Sequence, residues 1–120
     1  MSIPLLLGLD VGTTAVKALL FDLGGRVRAS VSRPYGLITP QAGWVEQDPE
    51  ALWAAAVAVL RALAAELRPG ERVLALAQSS QGGTTIPVGA HGHPVYNAIS
   101  WMDDRAQAEC AALQQAGLAE

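Results

Sequence analysis

The sequence predicts an α/β fold built on a mixed sheet, and three observations carry that expectation. Three short strand-like segments, Leu5 to Leu9, Ala15 to Phe21 and Arg26 to Arg33, follow one another through tight turns. That is the pattern of an antiparallel meander. An amphipathic helical segment begins at Pro49, and an apolar run, Val73 to Ala77, comes directly after it. A helix between two strands makes a crossover, so this later strand joins the meander in a mixed sheet.

Each element has a local reason. Leu5 to Leu9 is continuously apolar, as expected of a strand covered on both faces. Ala15 to Phe21 is its hairpin partner, and Leu23-Gly24-Gly25 makes the next turn, with Asp22 read as a turn residue. Arg26 to Arg33 alternates, with Val27, Ala29 and Val31 on one face and Arg26, Arg28, Ser30 and Ser32 on the other, as in a half-exposed strand near a sheet edge. Pro34 to Gln47 has no period and reads as a loop. Asp48 is a good N-cap, Pro49 suits the first helical position, and Glu50 complements the helix dipole. Leu52, Ala56, Val59, Leu60, Leu63 and Leu67 recur at helical spacing over about five turns, and Arg68-Pro69-Gly70 ends the helix. Thr84 to Val88 and Val95 to Ile99 read as a second hairpin. Ser100 to Arg105 leads into a second helix ending near Gly117, with Asp103 or Asp104 as its cap.

Composition narrows the function classes. The 120 residues, 51% hydrophobic and 16% charged, suit one domain or one lobe of something larger, with ample material for a core. A net charge of −3, with Lys17 as the only lysine, leaves no basic footprint for nucleic acid or an anionic membrane. Cys110 stands alone and is expected to be buried and inert; it excludes an internal disulfide and a cysteine metal cage and favours a reducing, cytoplasmic compartment. Ala51 to Leu67 is interrupted by Arg61 and Glu66, so it is not a membrane span, and the N-terminus lacks the basic region of a secretion signal. His91 and His93 have no third ligand beside them for a metal.

The chemistry concentrates at Leu5–Asp22, where Asp10, Gly12, Thr13, Thr14 and Lys17 interrupt two apolar runs. Gly12 is expected to take backbone angles that a side chain forbids, letting the chain reverse tightly. The reversal gathers amide N–H groups, two hydroxyls, a carboxylate and an ammonium, a set suited to phosphate oxygens and Mg²⁺. By itself the stretch fits a polar hairpin turn equally well. A second polar stretch, Gln78 to Thr85, lies at the carboxyl end of the later strand, where ligands of open α/β sheets bind.

Three segments together resemble a known family. Gly8-Leu9-Asp10-Val11-Gly12-Thr13-Thr14 resembles the first phosphate motif of the actin-like ATPase and sugar kinase superfamily. Gly43-Trp44-Val45-Glu46-Gln47-Asp48-Pro49 and Tyr96-Asn97-Ala98-Ile99-Ser100-Trp101-Met102-Asp103-Asp104-Arg105 resemble signatures of its FGGY carbohydrate kinase branch. The resemblance implies a ribonuclease H-like fold, with residues 1–120 as the N-terminal portion of the first kinase domain. It implies ATP and Mg²⁺ as cofactors and a sugar or polyol as substrate. Asp10 would hold Mg²⁺ through water and face the transferring phosphate, while Gly12, Thr13, Thr14 and Lys17 would grip the phosphates. Gln81, Gly82, Gly83, Trp101, Asp103 and Asp104 would lie toward the sugar. Trp44 is expected to anchor its loop onto the first helix, and Asp104 with Arg105 fits a surface ion pair as well as a sugar contact.

Gly82-Gly83 departs from the pattern, because glycerol kinases carry an arginine-glutamate pair there and xylulokinases a methionine-histidine pair. Trp101-x-Asp103-x-Arg105 matches the xylulokinase pattern better, which puts a ketopentose such as xylulose first. The family's general base lies beyond position 120, so the chain alone is expected to be inactive. Two rival readings remain: a truncated or split lobe that binds sugar or a partner without chemistry, and a metal-dependent nuclease, which needs several clustered carboxylates. An isolated lobe is expected to expose apolar faces that favour a homodimer or aggregation.

Overall fold

Strand β1 (Ile3–Val11) is hydrogen-bonded along both edges, antiparallel to β2 (Ala15–Asp22) and parallel to β5 (Glu71–Ser80). Strand β3 (Val27–Pro34) pairs antiparallel with β2, giving the mixed-sheet order β3-β2-β1-β5. The computed structural model describes residues 2–118, and the meander and crossover expected from the sequence are both present.

The chain divides into two units. The first, Met1–Gly36 with Pro49–Gly82, contains this sheet and helix α1 (Pro49–Ala65). Leu5 and Leu7 of β1 and Val16, Ala18 and Leu20 of β2 alternate onto one sheet face, where they meet Ala55, Ala56, Val59 and Leu63 of α1. Leu9, Val11, Ala29, Val31, Leu60, Leu67 and Val73 extend this core. The expectation of a β1 covered on both faces is corrected: Leu6 is exposed, because α1, the one helix in this unit among the described residues, covers a single face.

Two bulges adjust the sheet. Leu20 pairs with Ala29 but Phe21 with Val27, so Arg28 is the extra residue. Val27 therefore shares the exposed face of Phe21 instead of the core face of Ala29 and Val31, which breaks the predicted alternation. Arg28 instead bonds Glu71 at the start of β5 through Nη2 at 2.7 Å, joining the two edge strands. On the other side Leu5 pairs with Val73 and Leu6 with Ala75, which makes Leu74 the extra residue. Asp22 does close its turn, accepting from the N–H groups of Gly24 and Arg26, each at 2.9 Å.

The second unit, Leu37–Asp48 with Gly83–Glu120, carries strands β4 (Glu46–Gln47) and β6 (Ala98–Ile99) and helix α2 (Gln107–Gln115). The loop read over residues 34–47 thus hides β4, which pairs with β6 and bridges Ile38 to Glu46. The predicted second hairpin is not a regular ladder. Only Thr85–Ile99 and Val88–Pro94 bridge, since Pro87 and Pro94 have no N–H to donate. Helix α2 ends at Gly117 as expected, but its N-cap is Ala106, with no side-chain bond from Asp103 or Asp104. Cys110 is exposed, correcting its expected burial. No helix among the described residues is long and apolar enough to cross a membrane.

Leu63 is 1% exposed against the sheet and Leu76 of β5 is 51% exposed, so one substitution should have two outcomes. Leu63→Ala is expected to lower the unfolding free energy by about 2–5 kcal/mol in urea titrations, and Leu76→Ala by less than about 1 kcal/mol. Equal losses would contradict the open edge at β5.

Candidate functional site

The β1–β2 register places one polar row across the first unit. Asp10 stands opposite Lys17 on β2 and Ser79 on β5, so all three side chains emerge on the sheet face away from α1. Asp10 Oδ1 accepts from Ser79 Oγ–H at 2.7 Å. Lys17 is exposed and forms no ion pair among the described residues, so the surface salt bridge that could have explained it is absent there. Next to this row lies a depression of about 300 Å³ floored by Gly8, Leu19, Phe21 and Ala77. Asp10, Gln78 and Ser79 form its polar side.

At the tip Gly12 does not use the left-handed backbone region expected of it, since its φ is not positive. Its need is for space. A Cβ there would sit 3.2 Å from the Ala15 carbonyl oxygen and 3.5 Å from Asp10 Oδ2. Its N–H closes the turn onto Ala15 O at 3.0 Å, so that amide is not available to a phosphate. Thr14 is exposed and Thr13 half-buried. Gln81 donates its N–H to Val11 O at 2.8 Å, which sets it one residue past the β1–β5 ladder, at the same end of the sheet. Tyr35 lies against the tip, and its hydroxyl is pushed above its ordinary pKa by burial first and the Asp10 carboxylate second, so it remains a donor. One exposed carboxylate beside a tip whose first residue, Gly12, carries no side chain fits Mg²⁺ that keeps several waters. Among the described residues no group of three or more His, Cys, Asp or Glu could hold a metal ion, and a metal-dependent nuclease would need such a group.

The second unit is organised around a buried ion cluster that the sequence reading missed. Glu46 is 1% exposed and accepts from Asn97 Nδ2 at 2.9 Å, Tyr96 Oη at 2.9 Å and Arg105 Nη2 at 2.7 Å. Asp103, its side chain 2% exposed, accepts from Arg105 Nε at 2.8 Å and Nη2 at 2.7 Å, and from Val45 N–H at 2.7 Å. Arg105 also stacks over Trp44, 3.8 Å from the ring centroid, so Trp44 anchors this cluster and the expected surface pair with Asp104 is replaced by Asp103 and Glu46. Arg105 hydrogen bonding holds the Asp103 carboxyl well below the usual carboxylate range. Asn97 first, then Arg105, lowers that of Glu46. Asp103 is thus engaged inside the protein, whereas Asp104 is exposed.

This cluster frames Trp101. Ser100 N–H bonds Val45 O at 2.9 Å while Asp103 takes the Val45 N–H, so the residues on either side of Trp101-Met102 are stapled to one residue, Val45. The indole is 57% exposed. Gly83 lies at φ +74°, where a side chain is strained, and a Cβ there would sit tightly, 3.1 Å from Trp101 Cβ. Gly82 faces open space.

The sequence pattern of the FGGY family of carbohydrate kinases, N-terminal domain, matches residues 5–120. The chain is 45% identical to the glycerol kinase of Koribacter versatilis (strain Ellin345), over 98% of this chain and 24% of that protein. It is 39% identical to the glycerol kinase of Methylibium petroleiphilum, over 96% and 23%. The gluconate kinase structure from Lactobacillus acidophilus superposes with a TM-score of 0.90 at 32% identity, over 98% of this chain and 23% of that one. A ligand-bound xylulose kinase from the same organism gives 0.89 at 31%, over 96% and 23%. The chain spans about a quarter of the length of the curated relatives it matches.

Because Asp103 and Glu46 are held ionised to lower pH than in the unfolded chain, their stabilisation is complete above about pH 5. It is lost as pH falls through their folded values. Arg105→Met should lower the thermal midpoint at pH 7 by about 10 °C and flatten the loss of stability between about pH 5 and 2. A midpoint and acid slope equal to wild type would remove the cluster's structural role.

Proposed function

The chain belongs to the FGGY family of carbohydrate kinases, and from that premise we propose that it supplies the phosphate-binding hairpin and part of the sugar site of an ATP-dependent kinase. The reaction is phosphoryl transfer to a sugar or polyol hydroxyl. The observation that carries this reading is the row Lys17–Asp10–Ser79 on one sheet face at the hairpin end. Phosphoryl transfer depends on alignment and charge neutralisation more than on covalent chemistry. Lys17 supplies a cation, the Thr13 and Thr14 segment supplies donors, and Gly12 keeps the approach clear. Asp10 would hold Mg²⁺ through its waters, and that ion would neutralise phosphate charge when bound. Ser79 orients the Asp10 carboxylate. We place the general base outside residues 1–120, so the chain alone binds without turnover.

For the sugar we assign, in the second unit, Asp104 as a hydroxyl partner and the exposed Trp101 ring as a stacking face, and separately, in the first unit, Gln81 as a hydroxyl partner. Asp103, saturated by Arg105 and Val45, acts by shaping the Trp101 turn. Gly82 and Gly83 carry no charged clamp, which counts against glycerol, and the Trp101-x-Asp103-x-Arg105 pattern puts a ketopentose such as xylulose first.

Titration of Mg·ATP into the full chain, followed by NMR, tests the phosphate grip. Saturable shifts at Thr13, Thr14 and Lys17 are expected, with affinity at least about tenfold weaker in Asp10→Ala and other resonances unmoved. With 5-fluorotryptophan incorporated, xylulose is expected to move the Trp101 resonance and glycerol to leave it in place. Equal Mg·ATP affinity in wild type and Asp10→Ala would overturn the role of Asp10, and a response to glycerol alone would overturn the substrate.

A further inference from the structure

The Gly12–Thr14 turn is held from outside the hairpin. Pro34, the last residue of β3, stands opposite Ala15 and has no N–H to give to β2. The next residue, Tyr35, donates its N–H to Thr14 O at 3.1 Å, and its hydroxyl reaches back to donate to Gly12 O. Its ring packs against the core of the first unit. One side chain and its own amide therefore bind the carbonyls on both sides of Thr13. With the Gly12 N–H already committed to Ala15 O, both polar backbone groups of Gly12 are satisfied.

We propose that Tyr35 is a positioning residue that fixes the Gly12-Thr13-Thr14 turn in the shape that accepts phosphate. The inference rests on the phosphate role proposed for this hairpin. A carbonyl at the tip that rotated freely would present an oxygen, and its negative partial charge, to an anionic ligand. The hydroxyl of Tyr35 holds the Gly12 oxygen in a bond instead, and a turn ordered before binding loses less entropy when ligand arrives. The contact joins residues 23 apart in sequence, so a change at Tyr35 acts on the turn through the Gly12 carbonyl and leaves the side chains of Thr13, Thr14 and Lys17 unaltered.

The test is Tyr35→Phe in the full chain, which removes the hydroxyl and keeps the ring, with Tyr35→Leu as a second variant. Backbone order parameters from ¹⁵N relaxation at Gly12, Thr13 and Thr14 are expected to fall from about 0.85 to below about 0.6 in Tyr35→Phe, with β1 and α1 unchanged. Mg·ATP affinity should fall about three- to tenfold, and further in Tyr35→Leu. Unchanged order at the turn, or an equal loss of order throughout the sheet, would overturn the proposal while leaving the phosphate reading standing. If wild type fails to bind Mg·ATP at all, the phosphate reading falls, and the positioning role falls with it.

Discussion

Everything in the first unit depends on β1 being paired along both edges in one register. Antiparallel pairing to β2 sets Asp10 against Lys17, and parallel pairing to β5 sets Asp10 against Ser79. Side chains alternate along a strand, so a slip of one residue would carry Asp10 to the α1 face and Leu9 to the polar row. The register is fixed by what that slip would bury. Leu5, Leu7, Val16, Ala18 and Leu20 fill the α1 side, and a carboxylate there would have no partner. The same hydrophobic pattern that builds the core therefore aims the chemistry.

The second unit reaches order by other means. Its fully buried residues include Glu46, Gln47 and Ser100 alongside the small Ala98, so polar geometry supplies what apolar volume does not. A buried ion cluster is a weak source of net stability, because desolvation offsets much of its attraction, but breaking one member leaves the others stranded. That asymmetry suits a segment whose task is to hold a shape. Arg105 fits the role better than lysine, since its planar fork serves Asp103 and Glu46 together while its face stacks on Trp44.

Local rules made much of this legible. Apolar runs, turn residues and helical spacing located β1, β2, β3, α1 and β5, and the crossover gave the sheet its mixed character. What escaped depends on distant partners. Arg28 and Leu74 are extra residues only because of how neighbouring strands pair, and no pattern within β3 or β5 marks them. A continuous apolar run reads the same whether one face is covered or two, which is why the exposure of Leu6 was not foreseen. Glu46 looked like one more polar loop residue; its bonds run to Tyr96, Asn97 and Arg105, 50 to 59 positions away. Asp103, read as a helix cap or sugar acceptor, was claimed by the same cluster. The signal available was the clustering of aromatic and charged residues in both segments, Gly43–Pro49 and Tyr96–Arg105.

Glycine illustrates why residue identity alone underdetermines the site. Gly12 and Gly83 both stand in polar stretches singled out for ligand contact. Gly83 needs its backbone angle, so any side chain there is strained, and a Cβ would also crowd Trp101. Gly12 has an ordinary backbone and excludes a side chain only because Ala15 O and Asp10 Oδ2 lie close by. The first constraint belongs to a turn that displays an aromatic ring. The second belongs to a turn whose own amide is already spent on its closure, which, in the phosphate role proposed for this hairpin, leaves recognition to Thr13, Thr14 and Lys17. It also explains why the turn needs support from Tyr35: a hairpin tip closed by one backbone bond is ordered at Gly12 and Ala15, and the two threonines between them gain their order from outside.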